Sequence, residues 1–145
     1  MRKGFTLLEL IIVIVILGIL ATLGLAQYMR MAERARGAEA RTILGLVRTQ
    51  AAGHYMQYAT LSPAGNVFNN DVAGIGTSPD LIPSACTGTH YFNYAVTAAA
   101  ASTLTATAVR CTAGGKIPQA GKAGTLILTT NLATGADTWT GTGGY

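Results

Sequence analysis

The feature that most constrains this chain is its first apolar stretch, Phe5 to Ala26. It reads FTLLELIIVIVILGILATLGLA, with no charge from Leu10 to Ala26 and one carboxylate, Glu9, near its start. At about 1.5 Å per residue the stretch makes a helix of roughly 33 Å, enough to cross a hydrocarbon core of about 30 Å. In lipid every backbone polar group must bond within the segment, so a spanning stretch is helical. Ile, Val and Leu would equally suit a buried strand in water, but such strands rarely exceed about eight residues, and length decides for helix. Gly18 and Gly24 interrupt it. Each costs about 1 kcal/mol relative to Ala in a helix, and each lets a neighbouring helix approach closely.

Glu9 is the anomaly. An ionised carboxylate inside a membrane span costs several kcal/mol without a partner, and such residues are functional by default. Its surroundings are Arg2-Lys3-Gly4-Phe5-Thr6-Leu7-Leu8-Glu9. A short basic leader ending in Gly, then an aromatic residue, then a Glu five residues past the Gly resembles the class III signal of type IV prepilins. The resemblance covers about residues 1–30. It implies that a membrane peptidase cuts the Gly4–Phe5 bond, that Phe5 becomes N-methylated, and that Glu9 pairs with the new amine of a neighbouring subunit during assembly. Elementary electrostatics agrees: helices packed side by side leave Glu9 without water, and a neighbour's α-amine supplies the countercharge. Glu9 is then a register device, like a single buried polar group in a coiled coil.

Two rivals account for the stretch less well. A secretory signal has an apolar core of about 7–15 residues before an A-x-A-like site. Gly24-Leu25-Ala26 passes for such a site, but the uncharged run is too long and Glu9 falls inside it. A plain anchor gains nothing from the positive-inside rule, because Arg2 and Lys3 precede the span while Arg30, Arg34 and Arg36 follow it.

With 145 residues the chain holds one domain plus the anchor. We expect a leader at 1–4, an apolar membrane or fibre-core helix at 5–26, an amphipathic helical half at 27–58 and a globular head at 59–145. Ala40, Ile43, Leu44, Val47, Ala51, Tyr55 and Tyr58 recur at steps of three, four and seven, one apolar stripe of a helix. Arg30, Arg34, Arg41 and Arg48 fall on another face. That row reads as a solvated face, or as a contact for anionic headgroups, neighbouring carboxylates or captured DNA. Glu33 and Glu39 stand three residues from Arg36, within reach of helical pairing. No Pro occurs before Pro63, so a single helix runs from the apolar stretch to Tyr58. Many type IV pilins carry a Pro about where Ala26 stands; here local melting in a fibre rests on Gly18 and Gly24.

After Tyr58 the composition turns to Gly, Pro, Asn, Ser and Thr, predicting a long surface loop over 59–90 with at most a short turn of helix. Gly74-Ile75-Gly76 is no nucleotide fingerprint, since Pro79 follows and no βαβ unit surrounds it. From Tyr91 the pattern is β: Tyr91–Thr97, Ser102–Cys111, Thr125–Thr130 and Asp137–Thr140, separated by turn clusters. The expected class is α+β, with a small antiparallel sheet packed by one face on the helix stripe. Its other face is Thr-, Ala- and Gly-rich and permissive for O-glycans. No N-x-S/T acceptor occurs.

The two cysteines, Cys86 and Cys111, read as a disulfide in an exported chain. Many type IV pilins enclose their final segment with a disulfide, whereas here the second cysteine lies well before the end. Chemistry is otherwise sparse. His54 and His90 have no metal spacing, Asp71, Asp80 and Asp137 stand alone, and no nucleophile elbow appears. We therefore expect no enzyme, no cofactor and no metal. The net charge of +4 compels no nucleic-acid partner.

The resemblance implies a structural subunit, a major and homopolymeric one, of a type IV pilus. It is processed by prepilin peptidase, held in the inner membrane with the pilus assembly machinery, then displayed at the cell surface. A type II secretion pseudopilin shares the N-terminus but commonly has a calcium loop rich in Asp. A membrane-anchored β-rich binding protein is the alternative from another class.

Overall fold

The computed structural model describes residues 6–63, 67–68, 82–98, 101–118 and 123–145. One helix, α1 (Leu7–Tyr58), is followed by four strands: β1 (Phe92–Ala98), β2 (Thr103–Arg110), β3 (Thr125–Asn131) and β4 (Ala136–Gly141). The strands form one antiparallel meander in the order β1-β2-β3-β4. The class is α+β, as the periodicities predict. The chain divides into two compact units, Met1–Ala35 and Arg36–Tyr145, with α1 contributing to both.

In the second unit the helix buries Gly37, Ala40, Leu44, Val47 and Ala51, at helical spacing on one face. Ile43 and Tyr55 pack at the margin, whereas Tyr58, expected in the same stripe, is exposed. The chain leaves the helix at Ala59, whose left-handed φ of 56° turns it away.

The sheet faces this stripe with every second residue. Phe92 and Tyr94 of β1 join Leu104, Ala106 and Ala108 of β2, and Leu126 and Leu128 of β3, in one core. Registers explain the selection: Tyr94, Ala108 and Leu126 lie directly opposite one another, as do Ala106 and Leu128. The alternate positions face outward. Thr105, Thr129 and Thr138 make one row across three strands, a polar but uncharged face.

The loop over 59–90 is more than surface. Its described parts send Leu61, Phe68 and Ile82 into the core, and Leu61 is tied by its amide to the Ala101 carbonyl at 2.8 Å or less (2.7 Å). An apolar side chain with a buried cavity to fill outweighs the polar composition around it. The short helical turn allowed for in this loop is absent from the described residues, and 64–66 and 69–81 lie outside them.

Tyr145 closes one end of the core. Its ring stacks edge-on against Phe92 at 5.1 Å between centroids. It fits only because two neighbours are glycines: a Cβ on Gly37 would stand 2.7 Å from its Cδ1, and one on Gly124 2.2 Å from its Cε2.

Several polar groups at the margin of the core are paired. Glu39 of α1 accepts from the Tyr91 amide at 3.1 Å and the Tyr94 hydroxyl at 3.5 Å. Burial, with the Glu39 carboxylate beside it, pushes the Tyr94 phenol far above the ordinary range, so it stays a donor. Further along α1, Arg48 Nε bonds Asp137 of β4 at 2.7 and 2.9 Å to its two oxygens, and Thr130 donates to the same carboxylate. The Arg row is therefore not simply solvated: Arg48 is engaged here, and Arg41 stacks on Trp139 with 5.8 Å to the ring centre.

Two predictions follow from this packing. Gly37→Leu, with no room beside Tyr145, should destabilise the head by about 1–3 kcal/mol, read as a lowered denaturation midpoint; Gly37→Leu combined with Tyr145→Ala should recover part of the loss. The Arg48 and Thr130 bonds hold the Asp137 carboxyl below its usual range. Its contribution is thus present above the unfolded pKa of about 3.9 and disappears as pH falls through the lower folded value. Both side chains are partly exposed, so the effect is at most about 1 kcal/mol. Thermal melts from pH 6 down to about 2 should show Asp137→Asn flattening the acid limb of stability.

Candidate assembly helix and disulfide loop

The first unit consists of the apolar half of α1. Its large side chains from Leu7 to Leu25 are between 44% and 75% exposed. Among the described residues this is the one helix long and apolar enough to cross a membrane. Cβ positions on Gly18 and Gly24 open onto empty space. Thr22 keeps its hydroxyl bonded within the helix, to the Ile19 carbonyl at 2.8 Å, so it adds no unsatisfied donor to this surface.

Glu9 sits in the first turn and is itself exposed. Its Oε2 accepts from the Thr6 amide at 3.0 Å and from the Thr6 hydroxyl at 2.8 Å, while the Glu9 amide donates to Thr6 Oγ1 at 3.3 Å. These reciprocal bonds form a capping box, in which each side chain satisfies the other residue's orphan amide. The carboxylate also lies at the positive end of the helix dipole. Glu9 is therefore a structural element of the helix start within its own chain. The Thr-x-x-Glu spacing carries that information in the sequence. All three bonds leave Glu9 Oε1 without a bond among the described residues. Gly4 and Phe5, the two residues expected at the cleavage point, lie outside the described residues.

In the head, Cys86 and Cys111 are joined, with Cα atoms 5.7 Å apart and a sequence separation of 25. The bridge ties the segment before β1 to the end of β2. Gly115 packs directly on it, since a Cβ there would meet the Cys111 Cβ at 2.3 Å. Next to it lies a residue that composition did not single out. Arg110 is 2% exposed and donates to the carbonyls of Tyr91 (2.9 Å), Cys111 (3.2 Å) and Ile117 (2.7 Å). One guanidinium thus joins β1, β2 and the following loop, and holds Ile117 in a left-handed conformation, φ 49°, that a β-branched residue rarely adopts. Only its place in the alternation of β2, in phase with Leu104, Ala106 and Ala108, marked it as inward-facing.

The described residues hold no group of three or more His, Cys, Asp or Glu side chains arranged for a metal. His54 instead stacks near Tyr58 and Phe68, and His90 shares a hydrogen bond with Thr89 at 2.8 Å.

Comparison with known proteins bears on this arrangement. The family described as "Prokaryotic N-terminal methylation motif" matches residues 1–25. The chain is 33% identical over 102 residues to the "Fimbrial protein" of Neisseria meningitidis serogroup A, an alignment covering 70% of this chain and 57% of that relative. The serogroup B counterpart gives the same identity and coverage. Over 79 residues it is 34% identical to "Type IV major pilin protein PilE1" of Neisseria gonorrhoeae, covering 54% of this chain and 45% of the relative.

The chain resembles the type IV pilins.

The chain spans a little over half the length of the meningococcal relatives, at 57%. No solved structure matches it significantly. These relatives are named for fimbriae and pili.

The cap and the bridge generate separate predictions. Thr6→Val should remove the hydroxyl half of the capping box, cost about 0.5–2 kcal/mol of helix-start stability, and speed amide exchange at residues 7–10 in detergent micelles; Thr6→Ser should behave like the parent. Cys86→Ser should lower head stability by roughly 3 kcal/mol in the chain-entropy account of a closed loop, measured by denaturant titration, and should hasten proteolysis within the head.

Proposed function

We propose that this chain is a pilin, the building subunit of a type IV pilus, anchored in the inner membrane as a precursor and polymerised through its N-terminal helix at the cell surface. The observation that carries the reading is an apolar half-helix whose large side chains are exposed, begun by a carboxylate with one oxygen unbonded among the described residues. A surface of that kind is stable in lipid, or among copies of itself, and nowhere in water. The methylation motif over residues 1–25 and the fimbrial relatives support the same reading.

In this scheme residues 1–4 are a leader, residues 5–26 span the membrane and later form the fibre core, residues 27–58 carry the head, and residues 59–145 build its surface. Prepilin peptidase cuts between Gly4 and Phe5, and the new Phe5 amine is methylated. The cut frees a cation close to the helix start. Glu9 Oε2 remains committed to Thr6, so Oε1 is the atom that meets a neighbour's Phe5 amine. Each added subunit then replaces lipid contacts with helix contacts and completes one charge pair. An unpaired partner in that core costs about 3–5 kcal/mol, which rejects misregistered subunits.

Mass analysis of surface filaments should find a chain that begins at Phe5 and carries one additional methyl. A chain beginning at Gln27 would show that the apolar stretch is a removable signal and not a fibre core. The Glu9→Leu variant separates assembly from anchoring. It should insert and be cut normally, since Leu enters lipid at least as well as Glu, yet give few or no filaments. Normal filament yield from this variant would eliminate the Glu9–amine pair.

A further inference from the structure

The two edges of the sheet differ. At the β1 edge, the outward Tyr94 amide is taken by the Pro83 carbonyl at 2.8 Å, so the chain covers its own strand. At the β4 edge all six residues are exposed. The ladder shows which backbone groups stand free there. Thr142 donates to the Thr125 carbonyl at 2.8 Å, and hydrogen-bonded pairs alternate along an antiparallel ladder. The pairs Ile127–Thr140, Thr129–Thr138 and Asn131–Ala136 therefore use their backbone groups between β3 and β4. The amides and carbonyls of Asp137, Trp139 and Gly141 point away from the sheet, and no backbone bond among the described residues reaches them. Natural edges are blunted by Lys, Pro or a bulge. The strand Ala-Asp-Thr-Trp-Thr-Gly has neither residue, and its register with β3 runs without interruption.

The side chains along this edge select for charge. Asp137 is consumed by Arg48 and Thr130. Trp139, 40% exposed, carries the exposed Arg41 guanidinium 5.8 Å from its ring centre. A strand added antiparallel to β4 would place one residue opposite Trp139 at about 5.5 Å between Cα atoms, on the same face and towards Arg41.

We infer that the β4 edge is a docking site for an extended segment of another protein, bearing a carboxylate at the position opposite Trp139. The backbone groups of Asp137, Trp139 and Gly141 supply the hydrogen bonds, and Arg41 supplies the preference for an acid. A second copy of this chain is a poorer occupant. Pairing β4 with another β4 about Trp139 sets Trp139 against itself and leaves Arg41 facing no carboxylate. This inference is independent of filament formation, since the edge belongs to the head alone.

Trp139 is the chain's single tryptophan, so its fluorescence reports on this edge. The test titrates the full chain in detergent micelles with a short peptide of alternating Thr and Val carrying one central Glu, and with the same peptide carrying Lys. The Glu peptide should shift the Trp139 emission and bind about tenfold more tightly than the Lys peptide. Arg41→Gln should erase that preference while leaving binding of the Lys peptide unchanged. Amide exchange should slow at Asp137, Trp139 and Gly141, and remain as it was at Thr138 and Thr140, which already bond β3. Equal affinity for the two peptides, unchanged exchange at the three outward amides, or their protection by raised protein concentration without peptide would each overturn the inference.

Discussion

The apolar half of α1 must be covered by something other than its own chain, and this requirement governs the rest of the molecule. Burying one Leu, Ile or Phe side chain is worth about 1.5–3 kcal/mol, and the run from Leu7 to Leu25 leaves nearly all of that unrealised within the monomer. No head of this size can wrap such a length and still present a surface of its own. The remedy is external; in the function proposed, it is lipid first and other helices afterwards. The two environments are alike in being apolar, which is why one sequence serves both. They differ in what they ask of Glu9. At a lipid interface a carboxylate reaches water; between packed helices it needs a cation.

The head solves the opposite problem. Its core is small and its sheet has only four strands, so a few polar devices hold the margins. Glu39 fixes the start of β1 against the helix through the Tyr91 amide and the Tyr94 hydroxyl. Arg110 gathers three carbonyls beside the disulfide. Arg48 holds β4 through Asp137. The first two lie where buried groups without partners would be costly, and each is supplied with acceptors or donors from several segments. The third is half exposed and adds little energy, but it fixes the position of the edge strand.

Most of the architecture could be read from periodicity. Four strands were expected at Tyr91–Thr97, Ser102–Cys111, Thr125–Thr130 and Asp137–Thr140, and the observed strands depart from these by one residue at most ends. Alternation of Thr with Leu or Ala is a strong signal because one sheet face is buried and the other is not. The helix end at Tyr58 was legible from the turn to Gly, Pro, Asn, Ser and Thr that follows it. What escaped was long-range or context-dependent. Nothing local in Arg48 or Asp137 tells of a partner 89 residues away. The fit of Tyr145 beside Gly37 is a steric fact that appears only once both backbones are in place. Leu61, Phe68 and Ile82 were hidden by their polar neighbours, because composition averages over a loop whereas a core takes single side chains. Of the candidate site, the motif residues were legible, and the cap is written in Thr6-x-x-Glu9 as a capping-box spacing at the start of the apolar run.

Under the proposed assembly role, that cap changes how the Glu9 carboxylate would act. If Glu9 were free, removing its neighbour would leave a mobile charge able to turn towards water. Held by the Thr6 amide and hydroxyl, it is oriented before any neighbour arrives, and ordering it costs no further side-chain entropy on assembly. The same bonds make the carboxylate tolerable in the isolated chain, because two donors and the helix N-terminus share its charge. A group that is partly satisfied before assembly and fully satisfied after it can pass through the membrane stage without forbidding cost and still reject a wrong register. Thr6 thus gives Glu9 its direction, and the uncovered helix gives it a reason to need a partner.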